Sequence, residues 1–325
     1  MKVLVVGGAG YIGSHTARVL RKAGFDVLIY DNLSTGFPFL AKGFEMVVGD
    51  VHDREKLLPN VKACDGVMYF AANHYVGESM ANPRKYYKNN VEGGLSLLNT
   101  AVDAGKVKNF IFSSTCSVYG APTKMPITEN DPRTPCNPYG VSKVFFEQAL
   151  ESYDSAYGMK YASLRYFNAA GADESGEIGE CHDPEPHLIP LALKAAAGKG
   201  ELQVYGTDYP TPDGTPIRDY TNVVDLAEAH VIALQHLMSG KPSFTVNLGT
   251  GQGSSVKEVI HTVEEVTGKK VPTKIVPRRA GDPPALVADP TAAQKLLGWK
   301  TKRSLRDSVS TAWKWMQNQA AVGRH

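Results

Sequence analysis

The residues best suited to chemistry are a tyrosine and a lysine four positions apart, in Tyr139-Gly140-Val141-Ser142-Lys143. They open a helical pattern, where this spacing puts both side chains on one face. Pro138, just before them, suits a first helical turn. A free tyrosine ionises near pH ~10 and is a poor base at neutrality. A neighbouring ammonium favours the phenolate. Holding the pKa ~3 units down takes about 4 kcal/mol of differential stabilisation, which a second positive charge in a partly dry site helps to supply. Tyr-x-x-x-Lys alone equally describes an exposed helix pair. A hydroxyl partner stands upstream, however. Thr115 lies in Phe112-Ser113-Ser114-Thr115-Cys116-Ser117-Val118-Tyr119-Gly120, at the end of an apolar run. In open α/β sheets ligands bind beyond such strand ends.

A second motif says what the ligand is. Gly7-Gly8-Ala9-Gly10-Tyr11-Ile12-Gly13 follows a short apolar run and opens a helical pattern. It satisfies G-x-G-x-x-G and G-x-x-G-x-x-G together. Glycines permit a tight turn and close backbone approach to a pyrophosphate, and the helix N-terminus presents free amides to it. The strand before and the helix after supply the context this motif needs. Asp31 stands 18 residues past Gly13 at the end of the next apolar run, where an acid suits adenosine ribose hydroxyls. Asn32-Leu33-Ser34-Thr35-Gly36-Phe37 contains no Arg or Lys for a 2′-phosphate. The expected cofactor is NAD rather than NADP, and its oxidised nicotinamide is the second positive charge that Tyr139 needs.

The elements that must position these groups follow from periodicity. Expected strands are 2–6, 26–30, 44–48, 66–70, 109–113 and 161–165, with amphipathic helical patterns at 13–23, 85–104 and 139–157. Continuous apolar strands alternating with helices predict an α/β fold, a doubly wound parallel sheet of Rossmann type covered on both faces. The texture changes after residue 168. Gly171–Pro186 and Tyr205–Pro216 read as long loops, and short segments such as Thr245–Leu248 and Val271–Val276 suggest a smaller α+β substrate lobe. The expected division is 1–168 and 169–325, with 219–238 returning to the first unit.

Composition excludes several classes. The 325 residues carry 35 Lys and Arg against 33 Asp and Glu, a net charge of +2. That balance gives no reason to expect nucleic acid or an anionic membrane as partner. No apolar run approaches the ~18 residues of a membrane span. The opening apolar run is too short and glycine-interrupted for a secretory signal, so the cytosol is expected. Cys64, Cys116, Cys136 and Cys181 are widely spaced, without C-x-x-C. Reduced, buried thiols are expected, with no disulfide framework and no metal site.

Together these motifs resemble the extended branch of the short-chain dehydrogenase/reductase superfamily, and within it the NAD-dependent epimerases that act on UDP-sugars. The resemblance is carried further by Tyr11–His15, Asp31-Asn32-Leu33, Gly49-Asp50-Val51, Val76–Ser79, Tyr86–Val91, Arg165–Asn168, Arg218-Asp219-Tyr220 and Arg278-Arg279-Ala280-Gly281-Asp282. It runs in family order from residue 3 to about residue 300. It implies that Gly7, Gly10, Tyr11, Ile12 and Gly13 surround the NAD pyrophosphate, and that Asp31 and Asn32 hold the adenosine ribose. Asp50 and Val51 would flank the adenine. Phe70, Ala71 and Asn89 would line the path to the nicotinamide, with Ser113, Tyr139, Lys143 and Tyr166 also at the cofactor. Thr115 and Tyr139 would meet the sugar, with Leu188 and Leu286 at the substrate and Asn168 near its phosphates. Arg218 and Arg279 would clamp the diphosphate, as guanidinium forks suit. Asp282 would take the uridine ribose and Tyr205 would sit near the uracil.

The implied reaction is reversible 4-epimerisation of UDP-galactose and UDP-glucose, with Tyr139 as base, Thr115 bridging, Lys143 orienting the cofactor, and tightly bound NAD regenerated each turnover. Dehydratase and decarboxylase relatives usually carry an acid just after the Ser/Thr position. Cys116 and Ser117 stand there instead, so water elimination lacks its acid–base group. Non-catalytic NAD-binding relatives typically lose the Tyr or the Lys, and both are present. Epimerisation of UDP-GlcNAc/UDP-GalNAc or UDP-arabinose/UDP-xylose is the nearer alternative. Leu286 stands where some members have a bulky Tyr beside the sugar, leaving room for a 2-acetamido group. His74 replaces a Lys of some members, and a partly buried neutral imidazole is as plausible there as a functional one. His187 stands where some have Asn, and nothing is drawn from it. Relatives are usually homodimers joined through two helices, here 85–104 and 139–157.

Overall fold

Strands that are apolar on both faces need cover on both faces, and helices from both halves of the chain provide it. In the computed structural model, which describes residues 1–279 and 281–321, seven strands lie parallel in one sheet: β1 (Lys2–Val6), β2 (Asp26–Asp31), β3 (Glu45–Val48), β4 (Gly66–Tyr69), β5 (Asn109–Thr115), β6 (Lys160–Tyr166) and β7 (Phe244–Leu248). Their spatial order is β7-β6-β5-β4-β1-β2-β3. The order reverses between β1 and β4, which creates the crevice at the carboxyl ends where such sheets bind ligands. The fold is therefore the expected Rossmann-type α/β sheet.

Alternation along the strands divides the core. Val3 and Val5 face one side with Ile29, Met68 and Ile111, and pack with residues of the Tyr11–Lys22 and Val223–Met238 helices. Leu4 and Val6 face the other with Leu28, Val67, Phe110 and Phe112, against Leu97, Leu98, Phe146 and Leu150 of the helices Gly93–Ala104 and Pro138–Tyr157. The strands at 26–30, 109–113 and 161–165 each extend by one or two residues beyond the apolar run. The extension of β5 to Thr115 has a physical reason. Ser113, Ser114 and Thr115 pair in register with Leu164, Arg165 and Tyr166, so polar residues complete the ladder.

Two elements differ from expectation. The 85–104 pattern is not one regular helix: a π-helical stretch, Tyr87–Glu92, separates Pro83–Tyr86 from Gly93–Ala104. Buried Asn90 sits in that stretch and accepts from the Asn73 amide at 2.9 Å, while its Nδ2 donates to the Asn73 carbonyl at 2.9 Å and to Ser142 Oγ at 3.0 Å. These tertiary bonds, invisible to periodicity, accompany the local widening. The 245–248 segment belongs to the main sheet as β7, beside β6.

The remaining elements gather around a separate apolar core formed by the helices Leu188–Ala196, Val256–Thr267 and Leu305–Ala321. Leu202–Tyr205 pairs with Thr273–Val276, and Ile217–Arg218 pairs with both Ser254–Ser255 and Ala285–Leu286. Among the described residues no helix is long and apolar enough to cross a membrane. All four cysteines are free, but only Cys64 and Cys116 are buried. Cys136 is exposed because it lies in the loop that leads into the Pro138–Tyr157 helix.

Candidate active site

The glycine turn is built by close backbone approach. Gly7 has φ +83°, and a Cβ on it would lie 2.5 Å from the Ala71 amide nitrogen. A Cβ on Gly13 would lie 2.2 Å from the Gly7 carbonyl oxygen. Neither position tolerates a side chain. Asp31, buried at the end of β2, accepts from the Ala9 amide at 2.9 Å and the Leu33 amide at 2.8 Å. Burial pushes its carboxyl up and the two amides pull it back down. A carboxylate accepts about four hydrogen bonds, so capacity remains for ribose hydroxyls. Gly7, Gly10, Tyr11, Ile12, Gly13, Asp31, Asn32, Val51, Phe70, Ala71 and Asn89 all line one cavity of ≈ 370 Å³. Asp50 is not part of that lining. It stands behind, accepting from Asn32 Nδ2 at 2.8 Å and from the His52 amide at 2.9 Å, and so orients Asn32. The bare glycine face, the acid with spare acceptors and the neutral 32–37 turn fit NAD.

Ser113, Thr115, Tyr139, Lys143 and Tyr166 close the far end of the same cavity. Asn137 caps the helix that carries the tyrosine and lysine, accepting from the Gly140 amide at 2.8 Å, with Pro138 in its first turn. Lys143 is buried. Its Nζ donates to the Ser113 carbonyl at 2.8 Å and lies 5.8 Å from the Tyr139 ring centroid. Burial pushes the Lys143 ammonium down to about 7, opposed by Glu147 one turn further along. Glu147 is held by Arg165 (Nε at 2.8 Å, Nη2 at 2.6 Å) and by Ser114 Oγ at 2.7 Å. Burial pushes the Tyr139 hydroxyl up, and a hydrogen bond to Thr115 only partly offsets this. The sequence expectation of a depressed tyrosine is thus not met by the protein's own groups. The positive nicotinamide has to supply the difference. Ser113 is hydrogen-bonded through its hydroxyl to Tyr166. Thr115 Oγ1 accepts from the Ser117 amide at 3.1 Å, so Ser117 braces the threonine.

The second cavity, ≈ 480 Å³, adjoins the first: Asn168, Glu180, His187 and Arg218 line both. Leu188, Tyr205, Arg279 and Asp282 line the second, and Leu286 lines the first. Arg218 and Asp282, expected at the diphosphate and the uridine ribose, stand side by side as an ion pair. The Arg279 guanidinium lies 3.9 Å over the Tyr205 ring. Arginine and tyrosine therefore form one stacked wall rather than two independent contacts. Asn168 Nδ2 donates to the Asp219 carbonyl at 3.2 Å. Ala280 of the 278–282 stretch lies outside the described residues.

Comparison with known proteins identifies this arrangement. The model of the NAD dependent epimerase/dehydratase family matches residues 3–249. The chain belongs to that family. It is similar to the UDP-glucose 4-epimerase of Lactobacillus helveticus, with 49% identity over 97% of each chain. Among solved structures it resembles UDP-glucose 4-epimerase from Brucella ovis in complex with NAD, with TM-score 0.94, 50% identity, and coverage of 96% of this chain and 97% of that one. It also resembles the Bifidobacterium longum enzyme in complex with NAD+ and UDP, with TM-score 0.92, 41% identity, and coverage of 100% and 99%.

This member of the epimerase/dehydratase family has one feature that sequence reasoning passed over. The wall between the two cavities carries Glu180, His182, Glu185 and His187, with the His74 ring 5.3 Å from His182 and stacked 6.0 Å from His187. His187 Nδ1 lies 2.7 Å from Glu180 Oε1 and 3.1 Å from Glu185 Oε1. Burial works against its charge, but the two carboxylates prevail and raise His187 to about 10. Burial lowers His74 to about 3, leaving it neutral in the lining of the cofactor cavity. The signal was the spacing Glu-x-His-x-x-Glu-x-His at 180–187, hidden inside a Gly- and Pro-rich loop.

Proposed function

We propose that this chain catalyses the reversible 4-epimerisation of a UDP-hexose, UDP-galactose to UDP-glucose, with bound NAD. The carrying observation is that Thr115, Tyr139 and Lys143 share one cavity with the glycine turn, and that this cavity runs through Asn168 and Arg218 into the arginine-bearing one. Tyr139 removes the proton of the sugar 4-hydroxyl, with Thr115 in its hydrogen-bond path. Lys143, anchored on the Ser113 carbonyl, holds positive charge beside the phenolate. When bound, NAD provides a reversible hydride acceptor for sugar carbon 4. The 4-keto sugar must then present its other face, so the protein grips the diphosphate through Arg218 and Arg279 and leaves the hexose loosely held. No net redox results.

The cofactor unit is read as residues 1–168 with 219–238 and the sheet strand β7, and the remainder as the nucleotide-sugar lobe. The Val223–Met238 helix packing beside the Tyr11–Lys22 helix supports this. A homodimer is read from exposed apolar side chains on the two expected helices, Tyr87, Val141 and Phe145. The free cysteines fit a reducing cytosol. The experiment is turnover of UDP-galactose without added NAD, beside UDP-GalNAc and UDP-arabinose. Conversion of UDP-galactose carries the proposal. Conversion of the pentose alone reassigns the substrate, and no epimerisation with NAD bound overturns it. Leu286 in the cavity wall favours UDP-GalNAc as a second substrate, so comparable conversion of that sugar would mean the pocket is open beside carbon 2.

A further inference from the structure

We propose that Glu180, His182, Glu185 and His187 bind one divalent transition-metal ion of the zinc class, in the wall between the two cavities. Four donor atoms, one from each residue, lie within 4.8 Å of one another. His187 Nδ1 is 2.7 Å and 3.1 Å from its carboxylate neighbours, and His182 Nδ1 is 3.4 Å from Glu180 Oε1 and 3.5 Å from Glu185 Oε2. A tetrahedral zinc site with bonds of about 2.0–2.1 Å has ligand-to-ligand edges of roughly 3.3–3.4 Å. The His182 pairs already stand at that edge length, while the His187 pairs at 3.1 Å and 2.7 Å need to open by roughly 0.2 Å and 0.6 Å.

Two independent observations point to a ligand. First, the His182 side chain is 9% exposed and its Nδ1 is buried without a hydrogen-bond partner, although it faces two carboxylates. An imidazole nitrogen so placed has an open bonding position. Second, the Glu180 and Glu185 side chains are 6% and 4% exposed, and among the described residues neither makes an ion pair with Lys or Arg. Two carboxylates out of water need two positive charges nearby. The His187 imidazolium, paired with both carboxylates, supplies one of these charges. A divalent cation supplies both and displaces the His187 proton, so that both imidazoles bind as neutral ligands. Two imidazoles with two carboxylates suit zinc better than the hard cations, which prefer all-oxygen sites. The His74 ring, together with Tyr75 at 6.3 Å and Tyr11 at 6.4 Å from the His182 ring, forms the shielding shell that such sites use to limit solvent access.

All four ligands come from the eight-residue stretch before the Leu188–Ala196 helix. The ion would therefore clip this loop shut and fix the end of the helix that begins the second cavity. This role is positional and does not depend on which reaction the epimerase/dehydratase fold performs.

The test uses the full-length, NAD-loaded protein made without a histidine tag. It is stripped with a chelator, then dialysed to equilibrium against Zn2+ alone and, separately, titrated with Co2+ alone while the visible spectrum is recorded. The expected result is one Zn2+ per chain and the intense absorption of four-coordinate Co2+. His182→Ala and the isosteric Glu185→Gln should each weaken Zn2+ binding by about a hundredfold. His261→Ala, at an exposed site distant in sequence, should leave binding unchanged. Retained NAD content reports that each variant is folded. Failure of the parent protein to bind Zn2+ stoichiometrically, a six-coordinate Co2+ spectrum, or unchanged binding by folded Glu185→Gln overturns the proposal. Because the readout involves no sugar nucleotide, its failure is separable from failure of the epimerase reading.

Discussion

The two cavities are built on opposite principles. The cofactor cavity draws its reactive groups from strand ends and a capped helix. Thr115 and Lys143 are 6% and 4% exposed, and each is tied to neighbouring main chain. The second cavity draws its groups from short strands and loops, and they hold one another: Arg218 with Asp282, Arg279 over Tyr205. A rigid chemical end and a gripping end made of side-chain pairs suit a reaction in which the diphosphate stays put and the hexose turns. Disabling one end should therefore leave the other's property intact.

The largest effect is expected at the rigid end. Tyr139→Phe removes the proposed proton acceptor and leaves the glycine turn in place. Turnover should fall by ~10³-fold or more, while the purified protein keeps its NAD, read as the absorbance of cofactor released on denaturation. Turnover near the parental level would show that the base lies elsewhere.

Next comes an acid-lability of the cofactor layer. His230 backs the cavity, with its ring 4.9 Å from Phe70, and His15 sits on the first helix beside Tyr11. Burial pushes both imidazoles down to about 4. Between that value and the unfolded value near 6.5, the unfolded chain binds the proton and the native chain does not. Stability is therefore fully present above pH ~6.5 and is lost as pH falls toward 4, by ~3 kcal/mol for each histidine. Urea midpoints at pH 7 and pH 5 check this. His230→Leu should reduce the drop, and an unchanged drop would remove His230 as its source.

At the gripping end the expected effect is smaller. Arg279→Met removes the guanidinium proposed to grip the diphosphate but leaves Thr115, Tyr139 and Lys143 untouched. The KM for the UDP-sugar should rise by ~10–100-fold, the usual worth of a hydrogen bond to a charged group, with kcat within a few fold. A matching loss in kcat would mean that the arginine also positions the sugar, and the contrast between the two ends would weaken.

How much of this was legible beforehand follows the same division. The central strands β1, β4 and β5 were readable because both their faces are buried, so each is a plain apolar run, whereas the edge strand β7 was read as part of the lobe. The trio was readable because Tyr139 and Lys143 are fixed by one helix, and Thr115 ends a strand. The pairing of Arg218 with Asp282 spans 64 residues and no local pattern reveals it. The π-helical stretch was missed because it comes with tertiary bonds of Asn90 to Asn73 and Ser142, which periodicity does not show. The upward push of burial on the Tyr139 hydroxyl was not readable, because it depends on how deeply the hydroxyl is packed; the expected depression counts the nicotinamide charge as well as the lysine. The Glu–His cluster was present as spacing but sat in a loop whose composition reads as linker.

The smallest expected effect tests the join between the two ends. Leu286 lies in register opposite Arg218 on a short parallel pair, and packs against the buried cluster of Cys116, Val118 and Phe167 beside Thr115. It is thus a single side chain placed between grip and chemistry. Leu286→Tyr adds bulk on the side where a 2-acetamido group would lie, and leaves the backbone ladder to Arg218 in place. UDP-galactose turnover should change little, while kcat/KM for UDP-GalNAc should fall by ~10-fold or more, the range that one ill-fitting group costs in a pocket. The ratio of the two substrates is the measurement, since it cancels any general loss from repacking near Cys116. An unchanged ratio would place the 2-position of the sugar away from Leu286, and substrate choice would then rest with the second cavity.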